Sequence, residues 1–173
     1  MEFTIRECEA KDCKDISRMI MELAVHLKLP EQVKVSRKEL EQDGFSGQPF
    51  FKCLIVEVSD ENKSRDGHTM VGYALYFYSY STMKGKALYM EDLYIMPEFR
   101  GKGLGKALLK RVAQISREQR CKRLQFMVQD WNRPSLEFYL QHGAKDLTAA
   151  EGWHVLRFEG GALDTLAQAA PEN

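Results

Sequence analysis

The sequence predicts an α/β fold: a twisted, mostly antiparallel mixed sheet of six to seven strands flanked by about four helices, in one domain over residues 1–173. Three observations predict it. Between positions 51 and 96, β-branched and aromatic runs of strand length follow one another through connections too short for helices, so they are antiparallel neighbours. After Pro97 the apolar spacing changes to three and four, and helical and extended signals alternate. The resulting order, βααβββαβαβ, describes an antiparallel first part that grades into a βαβα second part.

Each element follows from local chemistry. Residues 3–6 alternate apolar and polar and read as a short first strand. Asp12 or Asp15 caps a helix whose Ile16, Met19, Ile20, Leu23 and Leu27 form one apolar stripe, closed by Pro30. Ser36 opens a short second helix, with Glu39 three residues on as a capping box; Gly44, Gly47 and Pro49 end it. Residues 51–58 form an apolar strand and 59–67 a polar loop. Residues 70–80 form a long aromatic strand, Lys84-Gly85-Lys86 a turn, and 87–96 the returning strand. Residues 103–119 carry Leu104, Ala107, Leu108, Val112 and Ile115 at helical spacing. A strand at 123–128, a helix at 134–142 stopped by Gly143, and a last strand at 153–158 complete the set; beyond Gly161 the tail is weakly helical at best. There is no internal repeat or low-complexity segment.

Composition narrows the function. At 44% apolar and 29% charged, the chain has the make-up of a soluble globular protein. Twenty-five basic residues balance 25 acidic ones, which argues against broad nucleic-acid binding. Cys8, Cys13, Cys53 and Cys121 form no short-spaced pair, and His26, His68, His142 and His154 are scattered, so no metal is expected. No run approaches the roughly 18 apolar residues of a membrane helix. The N-terminus lacks both a basic and an apolar leader region, and a reducing cytoplasmic setting is expected.

The segment Arg100-Gly101-Lys102-Gly103-Leu104-Gly105 lies where a strand hands over to an amphipathic helix. A helix start offers unpaired N–H groups and a positive dipole end, and glycines let a phosphate approach the backbone. A Walker A loop fails twice: Arg100 stands where its first glycine belongs and Ala107 where its hydroxyl belongs. A Rossmann turn fails because Lys106 stands where its third glycine is required. What remains is Arg/Gln-x-x-Gly-x-Gly/Ala, satisfied by Arg100, Gly103 and Gly105. Lys102, Lys106, Lys110 and Arg111 crowd the same segment, which suits a pyrophosphate; a solvated helix face explains Lys110 and Arg111 equally well.

This loop resembles the acetyl-CoA signature of the GCN5-related N-acetyltransferases, the GNAT superfamily. Downstream, Asn132-Arg133-Pro134-Ser135, Tyr139 and Gly143-Ala144 resemble its second segment, Asn-x-x-(Ala/Ser)-x-x-x-Tyr-x-x-x-Gly-(Phe/Ala). The likeness extends further. Asp43-Gly44-Phe45, Pro49-Phe50, Gly72-Tyr73, Tyr89-Met90-Glu91-Asp92, Asp130-Trp131-Asn132, Phe138-Tyr139 and Glu151-Gly152-Trp153 together resemble the spermidine/spermine (diamine) N-acetyltransferase family. Ser81 and Asp146-Leu147-Thr148 lean toward its thialysine N-ε-acetyltransferase branch, since the polyamine branch tends to place an aspartate at position 81. Met83 replaces a tryptophan seen in both branches. His26 and Leu27 replace an aromatic and a glutamate, which also counts against long polyamines.

The resemblance implies a GNAT fold, acetyl-CoA as co-substrate with no metal, a small-molecule amine as acceptor, and a homodimer without nucleic-acid or membrane partners. It implies that Arg100, Gly101, Lys102, Gly103, Leu104, Gly105 and Lys106 bind CoA, together with Asn132, Arg133, Pro134, Ser135 and Tyr139. The backbone of Leu93, Tyr94 and Ile95 would pair with the pantetheine arm and polarise the thioester carbonyl. His26, Leu27, Ser81, Glu91, Asp92, Gln125, Phe126, Met127, Glu151 and Trp153 are the expected acceptor contacts.

Chemistry singles out three residues. Attack on a thioester needs a neutral amine, and an alkyl ammonium titrates near ~10, so deprotonation at neutral pH costs on the order of 4 kcal/mol. A carboxylate can hold the cation and accept its proton, directly or through water. Glu91 and Asp92 are the candidates, and on a regular strand only one of them faces the acceptor. GNAT proteins typically bulge this strand, and by resemblance Glu91 is the amine contact and water-mediated base. Tyr139 matches the family's general acid for the departing thiolate; taken alone it reads as a core aromatic. Trp153 reads as a pocket wall, a dimer contact or a packed indole alike. The competing functions are a protein lysine or N-terminal acetyltransferase, and a non-catalytic acyl-CoA-binding module on the same fold.

Overall fold

The computed structural model describes residues 1–169 and Pro171. The chain divides into two compact units, Met1–Met127 and Val128–Asn173. The first unit is built on a five-stranded sheet in the order β1-β2-β3-β4-β5. Its strands are β1 (Phe3–Glu7), β2 (Lys52–Val58), β3 (Met70–Ser81), β4 (Gly85–Ile95) and β5 (Leu124–Gln125). The first four pair antiparallel, and β5 joins β4 in parallel, with Leu88 opposite Leu124 and Tyr89 opposite Gln125. The sheet is therefore mixed and mostly antiparallel, with fewer strands than the sequence suggests.

Three helices cover this sheet: α1 (Cys13–His26), α2 (Arg37–Phe45) and α3 (Leu104–Glu118). Neighbouring strand residues point to opposite faces. The Tyr94 hydroxyl reaches Glu22 of α1 at 2.9 Å, while Ile95 lies against Gly105 at the start of α3. Helices α1 and α3 thus sandwich the sheet. The strand between them reads accordingly: Cys53, Leu54, Ile55 and Val56 are all buried, as expected when both faces are covered. Ile16 and Met19 fill one side of the core, and Leu104, Leu108 and Val112 of α3 contribute its other apolar stripe.

Local capping follows the sequence in one helix and departs from it in another. Ser36 Oγ accepts the Glu39 N–H at 3.1 Å and starts α2. Helix α2 runs through Gly44 to Phe45, because the bare glycine lets the Phe51 ring pack against the helix. Asp12 precedes α1 but its carboxylate makes no cap bond to that helix. It accepts the Glu9 N–H at 2.7 Å and takes the Arg6 guanidinium at 2.8 and 3.1 Å, a buried anchor between β1 and α1.

The second unit contains α4 (Arg133–Gln141), α5 (Leu147–Glu151) and α6 (Gly160–Gln168). With the three helices of the first unit this makes six among the described residues, two more than expected, and the tail is more helical than its composition suggested. The expected last strand at 153–158 is not a strand: among the described residues this segment joins no ladder. Its Trp153, Val155, Leu156 and Phe158 have the composition of a strand, but a strand exists only through backbone pairing. The strand expected at 123–128 shrinks to Leu124–Gln125 for the same reason.

Candidate functional site

Two of the residues expected to carry the chemistry, Glu91 and Asp92, lie on β4, and the expected glycine segment forms the loop that follows it. Opposite β3, Asp92 pairs with Leu75 while Met90 pairs with Tyr76, so Glu91 is the extra residue of a β-bulge. The bulge has two consequences. Asp92 shares its face with Tyr94, as on a regular strand, but Met90 is thrown to the other face. The strict alternation that would force Glu91 and Asp92 apart is also broken where they stand.

The two carboxylates have different surroundings. Glu91 is exposed. Asp92 accepts a 2.8 Å hydrogen bond from the hydroxyl of Tyr73, a fully buried residue of β3. Burial pushes the Asp92 carboxyl up to about 6; the Tyr73 hydrogen bond works against this and the Glu91 charge adds to it. Burial, followed by the Asp92 charge, holds the Tyr73 hydroxyl well above its usual range, so it remains a donor at neutral pH. The Tyr94 hydroxyl is likewise raised, by burial first and then by its bond to Glu22. Arg18 completes this layer, bonding Glu22 at 2.8 Å and the Met70 carbonyl at 2.7 Å.

On its side away from β3, β4 pairs with β5 only at Leu88 and Tyr89. Among the described residues, Glu91 to Ile95 have no ladder partner on that side, which leaves an open strand edge able to hydrogen-bond an extended ligand. Leu93, Tyr94 and Ile95, the expected pantetheine contacts, occupy that edge. Close packing holds the end of β4 in place: a Cβ on Gly72 would lie 2.5 Å from Ile95 Cδ1 and 2.8 Å from the Tyr94 carbonyl oxygen.

The loop leaves β4 through a short turn, and the Arg100 Nε donates to the Ile95 carbonyl at 2.8 Å, with its guanidinium carbon 5.7 Å from the Tyr94 ring centre. Gly101 and Gly103 have φ of 74° and 86°, the left-handed region that side chains resist. Gly103 caps α3 without a side chain, and the first backbone bond of the helix runs from the Ala107 N–H to the Gly103 carbonyl. The N–H groups of Leu104, Gly105 and Lys106 therefore lie in the first turn with no intrahelical acceptor. Lys102 and Lys106 are exposed around them. This is an anion cradle of the kind a diphosphate requires.

Other expected contacts are placed as follows. His26 ends α1 and is exposed; Leu27 caps that helix and is half-buried. Ser81 ends β3, where its hydroxyl accepts the Met83 and Lys84 N–H groups at 3.3 and 3.1 Å and so shapes the β3–β4 turn. Gln125 lies on β5, with Phe126 and Met127 following. In the second unit, Asn132 caps α4 without a side-chain cap bond, Arg133, Pro134 and Ser135 form its first turn, and Tyr139 is its buried residue. Phe138 packs edge-on against Tyr139, with ring centres 5.3 Å apart. Glu151 ends α5, 3.8 Å from Lys145, and Trp153 is exposed. Among the described residues no cluster of metal-ligating side chains occurs.

Two residues of this layer have no role assigned from the sequence: Tyr73, which enters only within the Gly72-Tyr73 likeness, and Glu22. The available signal is parity, since Tyr73 pairs with Tyr94 across the ladder and so shares the face of Asp92.

Comparison with known proteins agrees with this chemistry. Residues 19–144 match the acetyltransferase (GNAT) family. The chain is 46% identical over 163 residues to the thialysine N-epsilon-acetyltransferase of Bos taurus, covering 94% of this chain and 96% of that one. It is 41% identical over 156 residues to the human spermidine/spermine N(1)-acetyltransferase-like protein 1, covering 90% of this chain but 22% of that longer protein. Among solved structures, an integron cassette protein from the mobile metagenome of V. cholerae superposes with a TM-score of 0.76 at 24% identity, over 98% of this chain and 99% of that one. That last likeness concerns the fold alone. With the bulged acidic strand and the glycine cradle in place, these matches make the chain an acetyltransferase, a member of the GNAT family.

Proposed function

We propose that this enzyme transfers the acetyl group of acetyl-CoA to a primary amine of a small molecule, by direct attack while both substrates are bound. The observation that carries the reading is the sequence of features along one short stretch: an acidic β-bulge at Glu91, an open strand edge over Leu93 to Ile95, and a helix start with unpaired N–H groups at Leu104 to Lys106.

Acetyl-CoA supplies the acyl group as a thioester, activated toward an amine. Arg100, Lys102 and Lys106 and the first-turn N–H groups of α3 bind its diphosphate, with Asn132, Arg133, Pro134 and Ser135 as further contacts. The N–H groups on the β4 edge orient the thioester and draw charge onto its carbonyl oxygen. Glu91, through a water, takes the proton of the acceptor ammonium, which frees the nitrogen lone pair. As the C–N bond forms and the C–S bond breaks, Tyr139 gives its proton to the sulfur, and the second proton shed by the nitrogen goes to solvent, from which Tyr139 is reprotonated. The products are the N-acetylated amine and CoA. The two units act as one domain in this scheme, in keeping with a family match that runs across residues 127 and 128.

The acceptor is a thialysine-like amino acid or a short diamine. This rests on the identity to the thialysine enzymes and on the residues His26, Leu27 and Ser81, which supply no carboxylate for the far ammonium of a long polyamine. We place the protein in the cytoplasm as a homodimer, without nucleic-acid or membrane partners. The described residues include no helix long and apolar enough to cross a membrane.

A panel of thialysine, lysine, putrescine, spermidine and a histone-tail peptide, each with acetyl-CoA, tests the proposal by relative kcat/KM. The highest value is expected for thialysine. Turnover confined to the peptide would replace this reading with a protein acetyltransferase. CoA binding without turnover on any amine would replace it with a binding module.

A further inference from the structure

Tyr73 is fully buried, stands opposite Tyr94 in the ladder, and spends its hydroxyl on Asp92 Oδ2 at 2.8 Å. A phenylalanine would fill the same volume; the hydroxyl is there for its partner. That partner is the carboxylate next to the bulged Glu91. The bond occupies one Asp92 oxygen and leaves Oδ1 without a hydrogen bond inside the protein, and Oδ1 is not a buried unsatisfied atom. It is therefore free to meet a ligand cation.

We propose that Tyr73 is a positioning residue for the acetyl acceptor: its hydroxyl pins Oδ2 and keeps Asp92 a charged, oriented anchor for the acceptor ammonium beside Glu91. The proposal rests on the acetyl-transfer reading above. Its physical need is clear from the surroundings. Asp92 is a poorly hydrated carboxylate beside a second carboxylate, and both conditions drive it toward the neutral acid, which binds a cation poorly. The titratable and charged groups on its face are Tyr73 from β3, Cys53 from β2, Tyr94 and Glu91 from β4, and Glu22 with Arg18 from α1. Arg18 is the cation of this set, and Asp15, Glu22 and the Met70 carbonyl engage it. Tyr73 is the group that bonds Asp92 directly.

The test compares wild type with Tyr73→Phe in two measurements. One is the carboxyl-carbon NMR titration of Asp92; the other is the KM of the best amine against that of acetyl-CoA. Loss of a hydrogen bond to a charged group moves the Asp92 titration upward by about one to two pH units and raises the amine KM about two- to tenfold near pH 7. The acetyl-CoA KM stays unchanged, and the amine KM recovers as the pH rises past the new titration. An active wild type whose Tyr73→Phe variant shows the same Asp92 titration and the same amine KM overturns the role of Tyr73 alone. A wild type that acetylates no amine overturns the acetyl-transfer reading and this proposal with it. Should Tyr73→Phe fail to fold, Asp92→Asn decides the matter, since an amide oxygen still accepts the Tyr73 bond but carries no charge. An unchanged amine KM in that variant overturns the proposal; a tenfold or greater rise supports it.

Discussion

At the residue scale, the proposed chemistry turns on two proton transfers. Replacing Tyr139 with phenylalanine keeps the aromatic packing against Phe138 and removes only the hydroxyl. If that hydroxyl protonates the departing sulfur, kcat falls by about a hundredfold or more while the KM of acetyl-CoA changes little. Steady-state kinetics and a thermal melt together check this; a full-rate variant would return Tyr139 to a packing role. Glu91→Gln removes the carboxylate at the bulge that is proposed to accept the ammonium proton. Its kcat/KM at pH 7 is expected to fall by about a hundredfold, with the deficit shrinking as the pH approaches ~10, where the free amine loses its proton unaided. A pH–rate profile reads this directly. A deficit that stays constant with pH would assign Glu91 to binding. Asp92 needs the structure to interpret, because its character comes from burial and from a Tyr73 hydroxyl 19 positions away in the chain.

At the element scale, the close seat of β4 against β3 holds the working edge in place. Gly72→Ala would drive a methyl group into Ile95 and the Tyr94 carbonyl, so it is expected to destabilise the fold by about 1–3 kcal/mol. Because those two residues belong to the open edge, the KM of acetyl-CoA should rise in the same variant. Denaturant melts and kinetics separate the two effects. The same element shows what a sequence conveys. The run of residues 87–96 announces a strand, and alternation then says which residues share a face. Alternation breaks at a bulge, and nothing in Tyr89 to Asp92 shows which residue is the extra one; the family likeness supplied the expectation of a bulge, and the ladder fixes it at Glu91. The place of the glycine loop at a helix start was legible, since the left-handed backbone at Gly101 and Gly103 is a local demand that glycine meets. Segment 153–158 was misread because apolar β-rich composition reports the preference for a strand, whereas the strand itself depends on a partner distant in sequence.

For the molecule as a whole, acid titration sets two groups against each other. The Arg6 hydrogen bonds hold the Asp12 carboxyl below its usual range, so its stabilisation is present above the ordinary aspartate range and is lost as the pH falls through its lowered value. Asp92 does the reverse. Its carboxyl, raised to about 6, favours folding fully below the ordinary aspartate range, and this contribution disappears as the pH rises through about 6. Asp92→Asn is therefore expected to gain stability relative to wild type as the pH rises from about 4 to about 6, the window between the ordinary and the raised titration, and to keep that gain above it. Asp12→Ala should lose about 3 kcal/mol at pH 7 by stripping Arg6 of its buried partner, with a smaller loss in acid. Urea melts across pH check both signs. A variant pair with parallel pH dependence would show that neither group couples to folding.

The most direct measurement of the central chemistry is the initial rate with both acetyl-CoA and thialysine varied, following free CoA and N-ε-acetylthialysine together. Direct transfer between bound substrates predicts one CoA released for each acetylated amine and reciprocal plots that intersect. Parallel plots with an acetylated enzyme, or CoA release without an acetylated amine, would contradict it.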